Sequence, residues 1–259
     1  MSEDDKYTYP GSGGVLVNSK GIRNVARLDA AMNDYASAAM AELRTEPTPD
    51  RLDYNYLRGI HTRLFERIVP GIAGKLRDVD VQATGVGIPY CRPAYIEPEL
   101  TRLFDQLGRE DYLTELDADT FAARLADRWG ELSAIHPYRD GNTRSQSLYV
   151  TVLAERAGHP IDWQRIDVDA LRTARLHAVV GNSKPLADYL GPRLLTSDAP
   201  RQNPSLSSTA HISSALRASY PQAATDVTRS TPPAGGIQGR GSAPYMPGAR
   251  YGNDLGEGR

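Results

Sequence analysis

The segment His136-Pro137-Tyr138-Arg139-Asp140-Gly141-Asn142-Thr143-Arg144 constrains this chain more than any other stretch. It lies between two runs with helical periodicity. Before it, Phe121, Leu125, Trp129, Leu132 and Ile135 recur at three- and four-residue steps, which is one apolar stripe of a helix. After it, a second pattern starts near Asn142 and continues through Leu148, Val152 and Leu153. Pro137 disfavours helical backbone at the residue before it, and Gly141-Asn142 is a turn pair. The chain is thereby driven into helix, tight loop, helix across residues 118–157.

That geometry carries chemistry. The first turn of the second helix leaves backbone N–H groups without intrahelical partners, and the helix dipole points its positive end there, so a phosphate is the natural occupant. His136 has an ordinary pKa near neutrality and can accept a proton. Asp140 is a hard oxygen ligand suited to Mg²⁺. Gly141 lets the backbone approach an anion, Asn142 can bond a phosphate oxygen, and Arg144 offers a planar fork. Singly, each has an ordinary explanation as a turn residue or a solvated cation. Their ordered combination between two helices points to a phosphate site with a base beside it.

At these residues the chain resembles the Fic-domain proteins, whose motif reads His-x-Phe-x-Asp/Glu-Gly-Asn-Gly-Arg-x-x-Arg. His136, Asp140, Gly141, Asn142 and Arg144 match, and Tyr138 keeps the aromatic ring. The resemblance runs over residues 6–195. It includes Lys6-Tyr7-Thr8-Tyr9-Pro10-Gly11, Ile60-His61 with Leu64-Phe65, Ala73-Gly74-Lys75-Leu76-Arg77, Gly181-Asn182 and Tyr189-Leu190. It implies a mostly α fold with a short β-hairpin flap. It also implies a protein adenylyltransferase that moves AMP from ATP to a hydroxyl of a target protein. By position, His136 would deprotonate that hydroxyl and Asp140 would hold Mg²⁺. Asn142 and Arg144 would be catalytic with His136, and Gly141, Asn142, Thr143 and Arg144 would bind the nucleotide. Flap residues Val86, Gly87, Ile88, Pro89 and Tyr90 would pair with the target backbone.

Two positions depart from that pattern. Thr143 stands at the second motif Gly, and its branched side chain narrows the approach to the nucleotide. Ser147 stands at the second motif Arg, which a short hydroxyl does not replace as a charged fork. A second reading therefore keeps the fold but makes the chain a phosphotransferase or a transferase of another nucleotide. A third makes it a non-catalytic nucleotide- or partner-binding module. The inhibitory Ser/Thr-x-x-x-Glu-Gly/Asn element of the family was not found at either end, so the resemblance implies a bacterial toxin silenced by a separate small antitoxin. A type II topoisomerase subunit is the target it suggests.

Composition bounds the rest. With a net charge of −2 there is no strongly basic field, which argues against direct nucleic-acid binding. Cys91 is the single cysteine, so no internal disulfide can form, and a reducing cytoplasm is expected. No run is long and apolar enough to span a membrane. The five histidines lack zinc-ligand spacing. Gly71-Ile72-Ala73-Gly74-Lys75 is too short in glycine spacing for a P-loop.

Along the chain, residues 1–20 read as an extended arm, 21–195 as the Fic-type domain, and 196–259 as a disordered tail rich in Pro, Gly and Ser. Helices are expected over Ile22–Leu43, after a cap at Asp50, from Pro98, and near 167–180 and 184–195. Glycines and alternation over 78–95 suggest the hairpin. His61 reads as a packed histidine, and Arg175 and His177 as structural or solvated.

Overall fold

Four of the helices begin where a short polar side chain accepts from an otherwise orphaned amide. Asn24, Asp53, Asp117 and Asp167 take the N–H groups of Arg27, Tyr56, Thr120 and Ala170 at 2.8–3.2 Å. The structure is a computed structural model and describes residues 4–83 and 86–195. Its helices are α1 (Val25–Leu43), α2 (Tyr54–Phe65), α3 (Pro93–Arg109), α4 (Ala118–Ile135), α5 (Asn142–Arg156), α6 (Val168–Val179) and α7 (Lys184–Leu190). The expectation of a mostly α fold holds.

Two boundaries differ from the sequence reading. Asp53, not Asp50, caps α2, because it stands directly before the first helical residue. Pro98 lies inside α3 rather than at its start. Pro93 already occupies the first turn, where a missing N–H costs nothing, and Pro98 forgoes one ladder bond a turn later.

Helix α4 is the central element and packs against α3, α5, α6 and α7. Its stripe of Phe121, Leu125, Trp129, Leu132 and Ile135 is buried, as the spacing requires. Helix α5 is buried on nearly every side although it carries Ser145, Gln146, Ser147 and Thr151. Most of this polarity is internally satisfied. Ser145 Oγ donates to Gly141 O at 3.0 Å, Thr151 Oγ1 donates to Ser147 O at 2.7 Å, and Trp163 Nε1 donates to Thr151 Oγ1 at 3.0 Å.

The hairpin expected over 78–95 is reduced, among the described residues, to one isolated bridge between Gln82 and Pro89. Ala83 N–H donates to Ile88 O at 2.8 Å and Tyr90 N–H to Val81 O at 3.1 Å. Pro89 has no N–H to extend a ladder, and Gly87 turns left-handed at φ 65°. The N-terminal arm is more ordered than an extended loop. Tyr9 N–H bonds Val15 O and Val17 N–H bonds Tyr7 O, both at 2.8 Å. Tyr7 Oη bonds Asp78 at 2.6 Å, beside an ion pair between Lys6 and Asp78. The proposed tail, 196–259, lies outside the described residues. Among the described residues no helix is long and apolar enough to cross a membrane.

The α4–α6 contact depends on Gly130. A Cβ built there would stand 2.8 Å from the Ala178 Cβ. Gly130→Ala is expected to lower stability by about 1–2 kcal/mol, because overpacking outweighs the gain in helix propensity. In an Ala178→Gly background the same change should become neutral or stabilising, as measured by urea melts of the four variants.

Candidate functional site

Helix α4 stops because His136 turns into the left-handed region, at φ 47° and ψ 62°. That conformation is uncommon outside glycine. Arg77 holds it there. Its Nε donates to His136 O at 2.7 Å, Nη2 to Ile135 O at 3.2 Å and also to Cys91 O, and Nη1 to Val79 O at 2.8 Å. Its own N–H bonds Pro137 O at 2.9 Å. The guanidinium is buried, which pushes its pKa down to about 10 and leaves it charged at neutral pH. A buried cation thus satisfies the orphan carbonyls at the negative end of α4.

The loop that follows is closed by Asn142. Its Oδ1 accepts from Tyr138 N–H at 2.9 Å, and its Nδ2 donates to Tyr138 O at 2.7 Å. The side chain is committed to the loop, so what Asn142 and Thr143 present at the start of α5 is backbone N–H. Gly141 enters α5 at φ 78°, and a Cβ there would sit 2.3 Å from Phe65 Cε2. Glycine is required at this position by both conformation and space.

His61 fastens the loop from below. It is fully buried, accepts from Gly74 N–H through Nδ1 at 2.9 Å, and faces Asp140 O through Nε2 at 2.9 Å. Since Nδ1 accepts, Nε2 carries the proton and donates. Its ring stacks on Tyr138, with centroids 3.7 Å apart. Burial pushes its pKa down to about 3. The expectation of a packed, hydrogen-bonded histidine is met.

Asp140 has two different oxygens. Oδ1 accepts from Gly141 N–H and stands 3.4 Å from Arg144 Nη2. Oδ2 is buried and has no hydrogen-bond partner among the described residues. Arg144 reaches back to Asn33 Oδ1 on α1 at 3.0 Å and lies over the Phe65 ring. Thr143 is half-buried, whereas Ser147 is buried and its Oγ has no partner among the described residues.

His136 as a residue keeps partial exposure. Its pKa is pushed well below the usual histidine value, first by burial and then by the Arg77 and Arg175 guanidinium groups, against a hydrogen bond to the Ser133 backbone. Arg175, read from sequence as structural or solvated, is buried on α6. It donates to Ser133 Oγ at 2.9 Å and to Gln146 Oε1 at 2.8 Å. Of the flap residues, Val86, Gly87 and Pro89 are exposed and Ile88 is half-buried, while Tyr90 lies face to face on the His136 ring. Sequence reasoning missed Arg77, Arg175 and Arg139. Arg139 is buried within the motif and bonds Asp5 of the arm at 2.8 Å. Their partners are far along the chain, so no local spacing marked them.

The Fic/DOC family profile matches residues 51–154. The probable protein adenylyltransferase Fic of Escherichia coli K12 is 33% identical over 178 residues, covering 69% of this chain and 86% of the relative. The protein adenylyltransferase VbhT of Bartonella schoenbuchensis is 33% identical over 180 residues, 70% of this chain, which spans only 37% of that protein's length. Among solved structures, an N-terminal Fic domain from Bartonella quintana with bound ADP superposes with TM-score 0.70 at 28% identity, covering 74% of this chain and 95% of that one. BepC from Bartonella tribocorum with bound AMPPNP gives TM-score 0.66 at 28% identity, covering 73% and 96%.

The His61 contact predicts an acid sensitivity. The unfolded chain protonates this imidazole below pH 6.5, but the folded chain does so only near 3. The unfolded state therefore binds more protons between those values, and stability falls as pH drops through that window by about 1.4 kcal/mol per unit. Between pH 7 and pH 5 the loss from this residue should be roughly 2 kcal/mol. Urea melts of His61→Asn should show a lower stability at pH 7 but a shallower decline toward pH 5.

Proposed function

The chain belongs to the Fic/DOC family, and from that membership we propose that it is a protein adenylyltransferase moving AMP from ATP to a hydroxyl side chain of a target protein. One observation carries this reading. A partly exposed histidine follows α4 directly, six residues before the first residue of α5, and a carboxylate oxygen without a partner among the described residues, Asp140 Oδ2, lies between them in the chain.

The residues fit a divalent cation at one point. Asp140 Oδ2 is buried without a partner among the described residues, which suits a hard cation held by one carboxylate and the substrate's phosphates. Mg²⁺ bound there would neutralise phosphate charge. Every other task falls to the chain itself. The N–H groups of Asn142 and Thr143 and the α5 dipole receive phosphate oxygens, and Arg144 faces the distal phosphates. Exposed Val86, Gly87 and Pro89, with Ile88, form the edge offered to the target backbone. His136 takes the proton of the target hydroxyl as its oxygen bonds to the α-phosphorus, and the bond to pyrophosphate breaks. Toxin-like action on a type II topoisomerase subunit, control by a small antitoxin and a cytoplasmic setting are parts of the proposal that rest on family resemblance alone.

A second reading is favoured by Ser147, whose buried hydroxyl stands where a charged fork is absent. In that reading the fold serves a phosphotransferase or another nucleotide donor. Incubation with ATP labelled at the α- or γ-phosphate separates the two. Label from the α-position supports AMP transfer, and label from the γ-position overturns it. His136→Ala should reduce the transfer rate by about 10²–10⁴-fold while leaving the melting curve intact.

The electrostatics set the pH profile. The base works when neutral, which holds above its folded pKa. Because that pKa is pushed well below the histidine norm, the rate should stay level from pH 8 to pH 6 instead of halving near 6.5. Arg175→Met removes one of the two cations whose charge depresses the imidazole pKa. The imidazole pKa should then rise while burial and Arg77 still hold it down, so the acid limb should move to higher pH than in the wild type, as read from single-turnover rates.

A further inference from the structure

We propose that Tyr90 is a positioning residue for His136, fixing the plane in which the imidazole accepts its proton. The proposal rests on the reading of His136 as the base. The two rings lie with centroids 3.8 Å apart and planes 9° from parallel. This is closer to a face-to-face arrangement than aromatic pairs usually adopt, so the surrounding backbone must impose it.

The backbone does. Tyr90 N–H is tied to Val81 O at 3.1 Å, and the next residue, Cys91, donates its N–H to Ala134 O at 2.9 Å in the last turn of α4. Cys91 O and His136 O are both held by the Arg77 guanidinium. His136 and the residue that follows Tyr90 are therefore held by one buried group and at one helix end.

An imidazole needs such a restraint here. The χ2 torsion of histidine is broad rather than confined to sharp wells. His136 also sits past the end of α4, in a left-handed conformation, where no following turn of that helix packs against its ring. A flat partner on one face limits that rotation. It does not obstruct the reaction, because the lone pair of the unprotonated nitrogen lies in the ring plane and the stacked ring covers only a face. Tyr90 thus orients the base without shielding it. Its position in the flap, beside Pro89, couples that orientation to the segment proposed to meet the target.

The contact uses the ring, so the conservative variants should separate from the aliphatic one. Tyr90→Phe and Tyr90→Trp should keep the wild-type kcat within about twofold, whereas Tyr90→Leu should lose roughly five- to tenfold in kcat with KM for ATP unchanged. Spectroscopy reads the same contact without activity. In ¹³C-histidine-labelled protein, identified by its loss in His136→Ala, the His136 ring protons should be displaced upfield by the Tyr90 ring current. They should also show NOEs to the Tyr90 ring in the wild type. The displacement should persist in Tyr90→Phe and vanish in Tyr90→Leu. Absence of those NOEs in the wild type overturns the proposal even if no variant folds, as does full kcat in Tyr90→Leu. Failure of AMP transfer in the wild type, with the ring contact present, refutes the functional reading and leaves the contact standing.

Discussion

A single buried guanidinium organises this molecule's business end. Arg77 bonds four carbonyl oxygens, those of Val79, Cys91, Ile135 and His136. Two of these end α4, where the helix has unsatisfied carbonyls and a negative dipole end. The other two lie on the segments before and after the flap turn. Charge-assisted bonds in a low-dielectric interior are stronger than their neutral counterparts. Leaving any partner unpaired is correspondingly costly. The left-handed turn at His136, the docking of Cys91 on α4 and the placement of Tyr90 over the imidazole follow from satisfying that one cation.

From there the loop is built by subtraction. Asn142 closes it with a paired contact to Tyr138, His61 supports it through Asp140 O, and Phe65 fills the space that a side chain at position 141 would need. These contacts use side chains to hold backbone. What is left over is the first-turn N–H of α5 and one carboxylate oxygen, near an imidazole tied to the Ser133 backbone. A site that binds a triphosphate needs these left unpaired yet rigid, since donors fixed before the reaction cost no reorganisation during it. The polar residues in buried α5 serve the same end. Gln146 and Ser133 seat Arg175 close enough to bear on the imidazole.

Much of this was legible in the sequence, and what was missed follows a rule. The helix–loop–helix around residues 136–144 was readable because apolar spacing, Pro137 and Gly141 act locally. Helices α1, α2, α6 and α7 were readable for the same reason. Asp53 displaced Asp50 as the cap, and Pro93 displaced Pro98 at the start of α3, because turn chemistry tolerates several candidates within a few residues. Among the described residues the hairpin is reduced to one bridge, at which Pro89 withholds a donor. Arg77, Arg139 and Arg175 carried no signal. Arg77 meets carbonyls at 135 and 136, Arg139 meets Asp5, and Arg175 meets Ser133 and Gln146. A cation's partners across 29 to 134 residues become visible only once the helices are packed.

The distribution of unsatisfied polarity gives the last step. Native interiors leave few buried polar atoms unpaired, and those few call for a reason. Here Asp140 Oδ2, Ser147 Oγ and both terminal nitrogens of Arg139 are buried without partners among the described residues, all within nine positions of one another. Each carries a desolvation cost of about 1–3 kcal/mol, and more for a charged group. A chain selected for stability alone would pair or remove them. Arg139 is half-answered by Asp5, which ties the N-terminal arm to the motif loop through a pair whose rupture would strand a buried charge. Strain of this kind persists where the surrounding structure over-determines it, and it collects at functional sites. Arg44 Nε and Trp129 Nε1 are also unpaired among the described residues, but most of the cost falls on the same loop that the base, the glycine and the helix start mark out chemically. Two independent lines, one from reactivity and one from unmet hydrogen bonding, converge on residues 136–147.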